Sequence, residues 1–279
     1  MTNTLEPDSS ANPDIVASLH QETGAAWDET AANYEREEAD SITFLRDGGS
    51  NLLAPERRVL GDLSAWCGRA VHLQCAGGSD TLSLLRQGAA EVVGIDISPR
   101  MIGVARRKSD ALSAPATWYH ADVLDTPHDL DSTADLVYTG RGALPWIMDL
   151  QPWAVVVARL LKTGGRLYIF EGHPLDWVWD EGTLEYRLDP ARGDYFAPLV
   201  HDQRWPMPFL DRQTRPANAP RAREHHWILG DILNALVGAR MTLEWFEEHP
   251  ELYWNQFPNL PDDLARRLPH TFSLLMRKA

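Results

Sequence analysis

The chain has 279 residues, of which 44% are hydrophobic, and a formal net charge of −14. That length suits one large domain or one domain with an elaborated cap, and the apolar fraction excludes global disorder. The acidic balance, with no Lys/Arg run, argues against nucleic acid as a partner, because such a surface needs a basic stripe to replace counterions.

Residues 1–14 are polar and contain proline, without a basic n-region or an apolar h-region. They predict a disordered tail rather than a signal peptide. No apolar run approaches the ~20 residues needed to span a bilayer, so no membrane association is expected. Cys67 and Cys75 are too few for a disulfide framework and belong to no zinc-type cluster, so a cytoplasmic protein without a metal site is expected.

Residues 15–39 read as helix, with Ile15, Val16 and Leu19 on one face and Trp27, Ala31 and Tyr34 following at helical spacing; Gly24 is a candidate break. "RDGGSN" (46–51) is a loop, and "APERRVLGDLSAW" (54–66) a helix with Pro55 near its first turn. The rhythm then changes. "RAVHLQC" (69–75) is a short apolar strand followed by a helix at 79–88. "AEVVGIDIS" (90–98) is a second strand, and 98–110 a helix with Ser98 as N-cap and Pro99 at its first position. Strands follow at 116–123 and 134–140, a helix at 152–165 ended by glycines, and a fifth strand at 166–173. Short apolar strands alternating with amphipathic helices predict an α/β, doubly wound, mostly parallel sheet. Residues 174–224, rich in proline and aromatics, break this alternation and read as an inserted loop-and-hairpin cap. Residues 225–279 complete the sheet with a helix at 227–239, a strand at 241–248 and a final strand at 270–278, expected as an antiparallel edge strand.

In such a sheet the ligand lies beyond the carboxyl ends of the strands. Ala76-Gly77-Gly78 follow the first strand, and small residues there let the backbone approach a ligand. Asp96 ends the second strand about twenty residues on, the spacing at which a carboxylate meets ribose hydroxyls. Asp122 follows the third strand, able to accept from an adenine amino group, and "YTGRG" follows the fourth. The G-x-G-x-x-G spacing of a dinucleotide loop is absent, as is a P-loop.

The blocks "VHLQCAGGSDTLSLLRQGA", "VVGIDISPRMIGVAR", "YHADVLDTP", "ADLVYTGRGALPW" and "VARLLKTGGRLYIFEGHP", in this order over residues 69–174, resemble the class I S-adenosylmethionine-dependent methyltransferases. The resemblance implies a Rossmann-like core at 67–173 that binds S-adenosylmethionine. Ala76, Gly77 and Gly78 would line the methionine moiety. Asp96 would hold the ribose, Ile97 and Met101 would pack on the adenine, Asp122 and Val123 would read its edge, and Thr139 and Gly140 would pass under the methionine chain. His72 stands where an acidic residue usually ends the first strand, and Gln74 and Ala76 replace two glycines, which puts the usual contact to the amino group in question. Residues 15–66 would form an N-terminal helical lid. Trp27 and Tyr34 would face the sulfonium from it, or else serve as core contacts. Arg46 would pair with the methionine carboxylate, or else be an ordinary surface arginine.

Methyl transfer is an in-line displacement that needs alignment and dryness, with a proton acceptor only for some substrates. Tyr34, Glu171 and His173 are the candidates for base or anchor, against plainer roles as caps and structural hydrogen bonds. Trp146, His173, Trp177, Trp179 and His225 are candidates for the acceptor wall, with Tyr195, Phe196, Trp205 and Phe209 from the cap; part of this set must form the cap's own core. The expected function is methylation of a small molecule in biosynthetic metabolism. Intramolecular attack on the sulfonium, and a non-catalytic cofactor-binding module, are the alternatives, and a homodimer stays open.

Overall fold

The computed structural model describes residues 12–179, 194–196, 200–203, 221–254, 257 and 260–279. Helix α1 runs Pro13–Arg36, with the Asn12 side chain accepting from the Asp14 N–H and proline in the first turn. The helix is continuous through Gly24. A Cβ at that position would meet the Ile97 side chain at 3.1 Å, so the glycine permits close approach instead of ending the helix. Helix α2 (Glu38–Arg46), absent from the sequence reading, follows almost directly. Helix α3 (Ala54–Leu60) is shorter than expected because Gly61 adopts a left-handed φ of 62° and stops it; Leu63–Ala65 form a separate 3-10 turn.

The core alternates β1 (Arg69–Leu73), α4 (Ser79–Arg86), β2 (Glu91–Asp96), α5 (Pro99–Leu112), β3 (Ala116–His120), β4 (Ala134–Gly140), α6 (Leu150–Leu160) and β5 (Leu161–Gly172). Ser98 caps α5 through its hydroxyl, which accepts from the Met101 N–H. Helix α6 ends five residues before its expected terminus. Leu161 already pairs with Ala134 of β4 across a bulge, and Gly164 takes a φ of 79° within that irregular start of β5. Strands β6 (Val200–Gln203) and β7 (Ala222–His225) form an antiparallel ladder in the predicted cap. Helix α7 (Leu229–Gly238), β8 (Met241–His249), the short α8 (Asp262–Ala265) and β9 (Thr271–Lys278) complete the chain.

The seven-stranded sheet has the order β3-β2-β1-β4-β5-β9-β8. The first five strands pair in parallel, and β9 pairs antiparallel with both β5 and β8. The reversed strand therefore lies one place in from the edge, and β8 is the edge. Alternation along the strands divides the core into two layers. Val137, Leu167 and Ile169 point to α6 and α7 with Trp153, Val157 and Leu160, whereas Leu136, Tyr138, Tyr168 and Phe170 point to the N-terminal helices with Leu52, Leu60 and Leu63. Every parallel strand thus delivers its carboxyl end to the same rim. Among the described residues no helix is long and apolar enough to cross a membrane.

Candidate functional site

A cavity of about 350 Å³ opens at this rim. Its floor is the loop after β1. Gln74 and Ala76 adopt left-handed φ values of 58° and 43°, conformations that glycine accepts freely and other residues at a cost of about 1–2 kcal/mol. Gly78 starts α4 at φ 76°, and a Cβ there would strike the Trp118 ring at 2.6 Å. The loop thus keeps a glycine-like path although two of its residues are not glycine.

Asp96 is buried at the end of β2. Its Oδ2 accepts from the Ala76 N–H at 2.8 Å and its Oδ1 from the Ser98 N–H at 2.9 Å. Burial pushes its carboxyl up to about 6, against the downward pull of those two N–H groups. Asp122 caps the short turn at Val123–Asp125 by accepting from the Leu124 N–H. Its other oxygen meets His20 Nδ1 at 2.8 Å, while His20 Nε2 accepts from the Met148 N–H at 3.1 Å. The Met148 bond fixes the tautomer: His20 carries its proton on Nδ1 and donates it to Asp122. His20 lies 102 residues from Asp122, and no local pattern announced it.

Trp27, Tyr34, Gln74, Ala76, Gly77, Gly78, Asp96, Ile97, Asp122, Val123, Gly140 and Trp146 all face this cavity. Trp27 and Trp146 meet edge to face, 5.5 Å between centroids. Tyr34 packs on the loop, where a Cβ at Gly77 would lie 2.9 Å from its ring. Desolvation, with Asp80 and Asp96 nearby, pushes the Tyr34 phenol well above its usual range, so it keeps its proton at neutral pH and is no ready base.

The remaining expected residues lie elsewhere. Arg46 is an exposed residue in the last turn of α2, in a separate groove with Leu82, Leu85 and Arg86. Met101 is fully buried in the core beneath α5. Thr139 is buried with its hydroxyl toward the Leu73 carbonyl, 3.4 Å away. Gly140 does serve the site's architecture: at φ 154° a Cβ would lie 2.0 Å from the Phe170 carbonyl oxygen.

Glu171, a candidate base, instead organises the loop after β4. Its two oxygens accept from the N–H groups of Gly142, Ala143, Leu144 and Gly172. Those four donors occupy the carboxylate, although burial pushes its pKa up. His173 is likewise engaged: Nδ1 accepts from the Leu175 N–H and Nε2 reaches Glu248 at 2.8 Å. Neither faces the cavity. Trp177 stacks on His226, and His225 stacks on Trp227 with 3.5 Å between centroids. Trp177, Trp179 and His225 do not border the cavity. Trp205 and Phe209 lie outside the described residues. Both cysteines are free and buried, and among the described residues no cluster suited to a metal occurs.

Two groups with a ligand-binding character remain. The Gln74 NH2 donates to the Ala143 carbonyl at 2.8 Å, which fixes the amide and leaves its buried Oε1 without a donor. Arg141, in the left-handed region at φ 56°, pairs with the fully buried Glu56 at 2.7 Å and with Asp80 at 3.3 Å, and donates to the Asn51 carbonyl. Its Nε is buried without an acceptor. A buried acceptor lacking a donor and a buried donor lacking an acceptor are costly, about 1–3 kcal/mol each. Both side chains border the cavity, and they match the ammonium and carboxylate of an α-amino acid. With Asp96 and Asp122 on the adjoining strand ends, the wall suits an adenosine joined to an amino-acid head. His72 contributes no charge here. It is buried, hydrogen-bonded to Thr81 at 2.8 Å, and burial lowers its pKa to about 4. Arg141 was visible in "YTGRG" as the cation between two glycines; Tyr253 and Trp254, which also border the cavity, carried no such signal.

Residues 70–165 match the model of a methyltransferase domain. A demethylmenaquinone methyltransferase of Thermus thermophilus is 34% identical over 138 residues, covering 48% of this chain, and the chain spans 61% of that relative's length. Two solved structures share the fold. An S-adenosylmethionine-dependent methyltransferase of Mesorhizobium loti has a TM-score of 0.58 at 22% identity, covering 80% of this chain and 96% of that one. One from Methanosarcina mazei has a TM-score of 0.55 at 17% identity, covering 81% and 98%. Residues 70–165 are thus similar to a methyltransferase domain, and the sheet order and strand-end chemistry resemble those of the class I S-adenosylmethionine-dependent methyltransferases.

Proposed function

We propose that this chain transfers a methyl group from S-adenosylmethionine to a small-molecule acceptor in biosynthetic metabolism. The observation that carries the cofactor reading is the pair of open valences at Gln74 Oε1 and Arg141 Nε, on side chains that line the same cavity as Asp96. S-adenosylmethionine supplies an electrophilic methyl on a sulfonium when bound. The chain's own groups bind and align. Asp96 accepts from ribose hydroxyls, Asp122 and Val123 meet the adenine edge, and Ile97 packs on its face. Gln74 accepts from the ammonium and Arg141 donates to the carboxylate. Trp27, Tyr34 and Trp146 keep water out, and their faces favour a sulfonium. The Tyr253 phenol, like that of Tyr34, is pushed up by burial, so both hold protons and can position an acceptor without deprotonating it.

The small-molecule acceptor is supported by the names of the relatives, which act on demethylmenaquinone, and by the net charge of −14, which opposes a nucleic-acid substrate. Incubation with methyl-deuterated S-adenosylmethionine and a small-molecule extract, followed by mass spectrometry, tests the reading. It expects a labelled small molecule and S-adenosylhomocysteine in equal amounts. Methylthioadenosine as the spent product would overturn methyl transfer in favour of a non-methylating reaction such as intramolecular attack, and cofactor binding without turnover of any acceptor would favour a binding module.

A further inference from the structure

Lys108 lies on α5 and is 1% exposed, yet it borders the cavity beside Gly77 and Tyr34. Its ammonium donates to the Ser79 hydroxyl at 2.8 Å, and among the described residues it has no carboxylate within 4 Å. An ammonium has three donors and a full charge, and burying it with one neutral partner is costly. The second cation at this end differs. Arg141 is already paired with Glu56 and Asp80, so it offers a directed N–H but little net charge. A ligand carboxylate entering here would find its counter-charge on Lys108.

We infer that Lys108 is the electrostatic anchor for the carboxylate of the cofactor's amino-acid head, with Arg141 as its directional partner. This rests on the proposed cofactor and adds a residue and a pH dependence to it. The groups facing Lys108 are Tyr34 of α1, Glu37 at the junction of α1 and α2, Glu38 of α2, and Ser79 and Asp80 of α4. Burial lowers the ammonium to about 8, against the upward pull of Glu38, Asp80 and Glu37. Charge on Lys108 is therefore present at pH 7 and lost as pH rises through about 8, and carboxylate binding goes with it.

Calorimetry on the full chain with S-adenosylhomocysteine and with methylthioadenosine, which has the adenosine but no amino-acid head, separates the possibilities. Wild-type affinity for S-adenosylhomocysteine should fall by up to about tenfold between pH 7 and pH 9, while methylthioadenosine affinity stays flat. Lys108→Met should weaken S-adenosylhomocysteine by at least about tenfold at pH 7, abolish its pH dependence, and leave methylthioadenosine within about twofold. Lys108→Arg, charged throughout, should hold its affinity at pH 9. If Lys108→Met fails to fold, the comparison of wild type with Lys108→Arg at pH 9 decides alone. A flat wild-type profile would overturn the anchor. So would a Lys108→Arg profile that falls like wild type, since the ligand's own ammonium would then be titrating, or equal loss of both ligands in Lys108→Met. Wild type that binds methylthioadenosine but not S-adenosylhomocysteine would remove the anchor and leave the adenosine site standing. Wild type that binds neither would remove the cofactor reading and the anchor with it.

Discussion

The two ends of the cavity are built on opposite principles. At the proposed adenosine end the polar groups already have partners: Asp96 holds the N–H groups of Ala76 and Ser98, and Asp122 holds Leu124 and His20. At the amino-acid end, Gln74 Oε1 and Arg141 Nε lack partners, and Lys108 holds one neutral hydroxyl. A satisfied end is rigid before the ligand arrives and loses little order on binding. An unsatisfied end stores the cost of its orphaned groups until a zwitterion relieves it. The adenosine end should therefore bind any adenosine, and the head end should discriminate among them.

The largest effect should come from destroying the shared part. Asp96→Ala removes the acceptor for two ribose hydroxyls and strands two backbone N–H groups. Hydrogen bonds to a charged group contribute about 1.5–3 kcal/mol each, so affinity should drop by about 100-fold or more. The loss should be equal for S-adenosylhomocysteine and methylthioadenosine when both are titrated calorimetrically. A loss confined to one ligand would break the division into two ends.

Next come the groups specific to the head. Arg141→Met should weaken S-adenosylhomocysteine by about 10–30-fold and Gln74→Leu by about 5–10-fold, with methylthioadenosine nearly unchanged. Arg141→Met also leaves Glu56 buried without its cation, so its melting temperature should fall as well. Gln74→Leu removes no charge and is the cleaner probe.

A smaller difference should appear in acid. Ribose hydroxyls donate most strongly to Asp96 as a carboxylate, and burial pushes its carboxyl up to about 6. Ligand affinity is thus complete above pH 6 and declines as pH falls through it, by at most about tenfold per pH unit. Both ligands should show this acid limb, whereas the alkaline limb from Lys108 should appear only with S-adenosylhomocysteine. An acid limb in one ligand alone would place Asp96 away from the ribose.

The placement of the proposed adenosine end on the cavity was legible in the sequence because its residues sit at strand ends, where the alternation of strand and helix fixes their place. Asp96, Ile97, Asp122 and Val123 follow from counting strands. Of the proposed head end, the sequence placed only the loop itself, with Gln74, at the cavity. Lys108 sits two and a half turns into α5, where periodicity gives a face but not a neighbour, and His20 reaches Asp122 only through the docking of α1. Met101 and Thr139 stand in the expected motifs, but both are fully buried and neither borders the cavity. Glu171 shows the limit of residue type as evidence. A carboxylate at the correct rim proved to be the support for a loop of positive-φ residues, and nothing short of its four N–H partners distinguishes that role from a base.

The smallest expected effect is at Arg46, which the sequence offered either as the partner of the carboxylate or as an ordinary surface arginine. It is exposed in the last turn of α2, where a positive charge interacts with the helix dipole by about 0.3–1 kcal/mol. Its backbone carbonyl, not its side chain, accepts from Arg86 at 3.2 Å. Arg46→Ala should therefore leave calorimetric affinity for S-adenosylhomocysteine unchanged within about twofold and lower the melting temperature slightly, by no more than the dipole accounts for. Should it instead weaken S-adenosylhomocysteine as strongly as Arg141→Met while sparing methylthioadenosine, α2 must move to carry Arg46 to the cavity on binding. The head end would then be assembled by the ligand, and the open valences at Gln74 and Arg141 would mark the place toward which α2 closes.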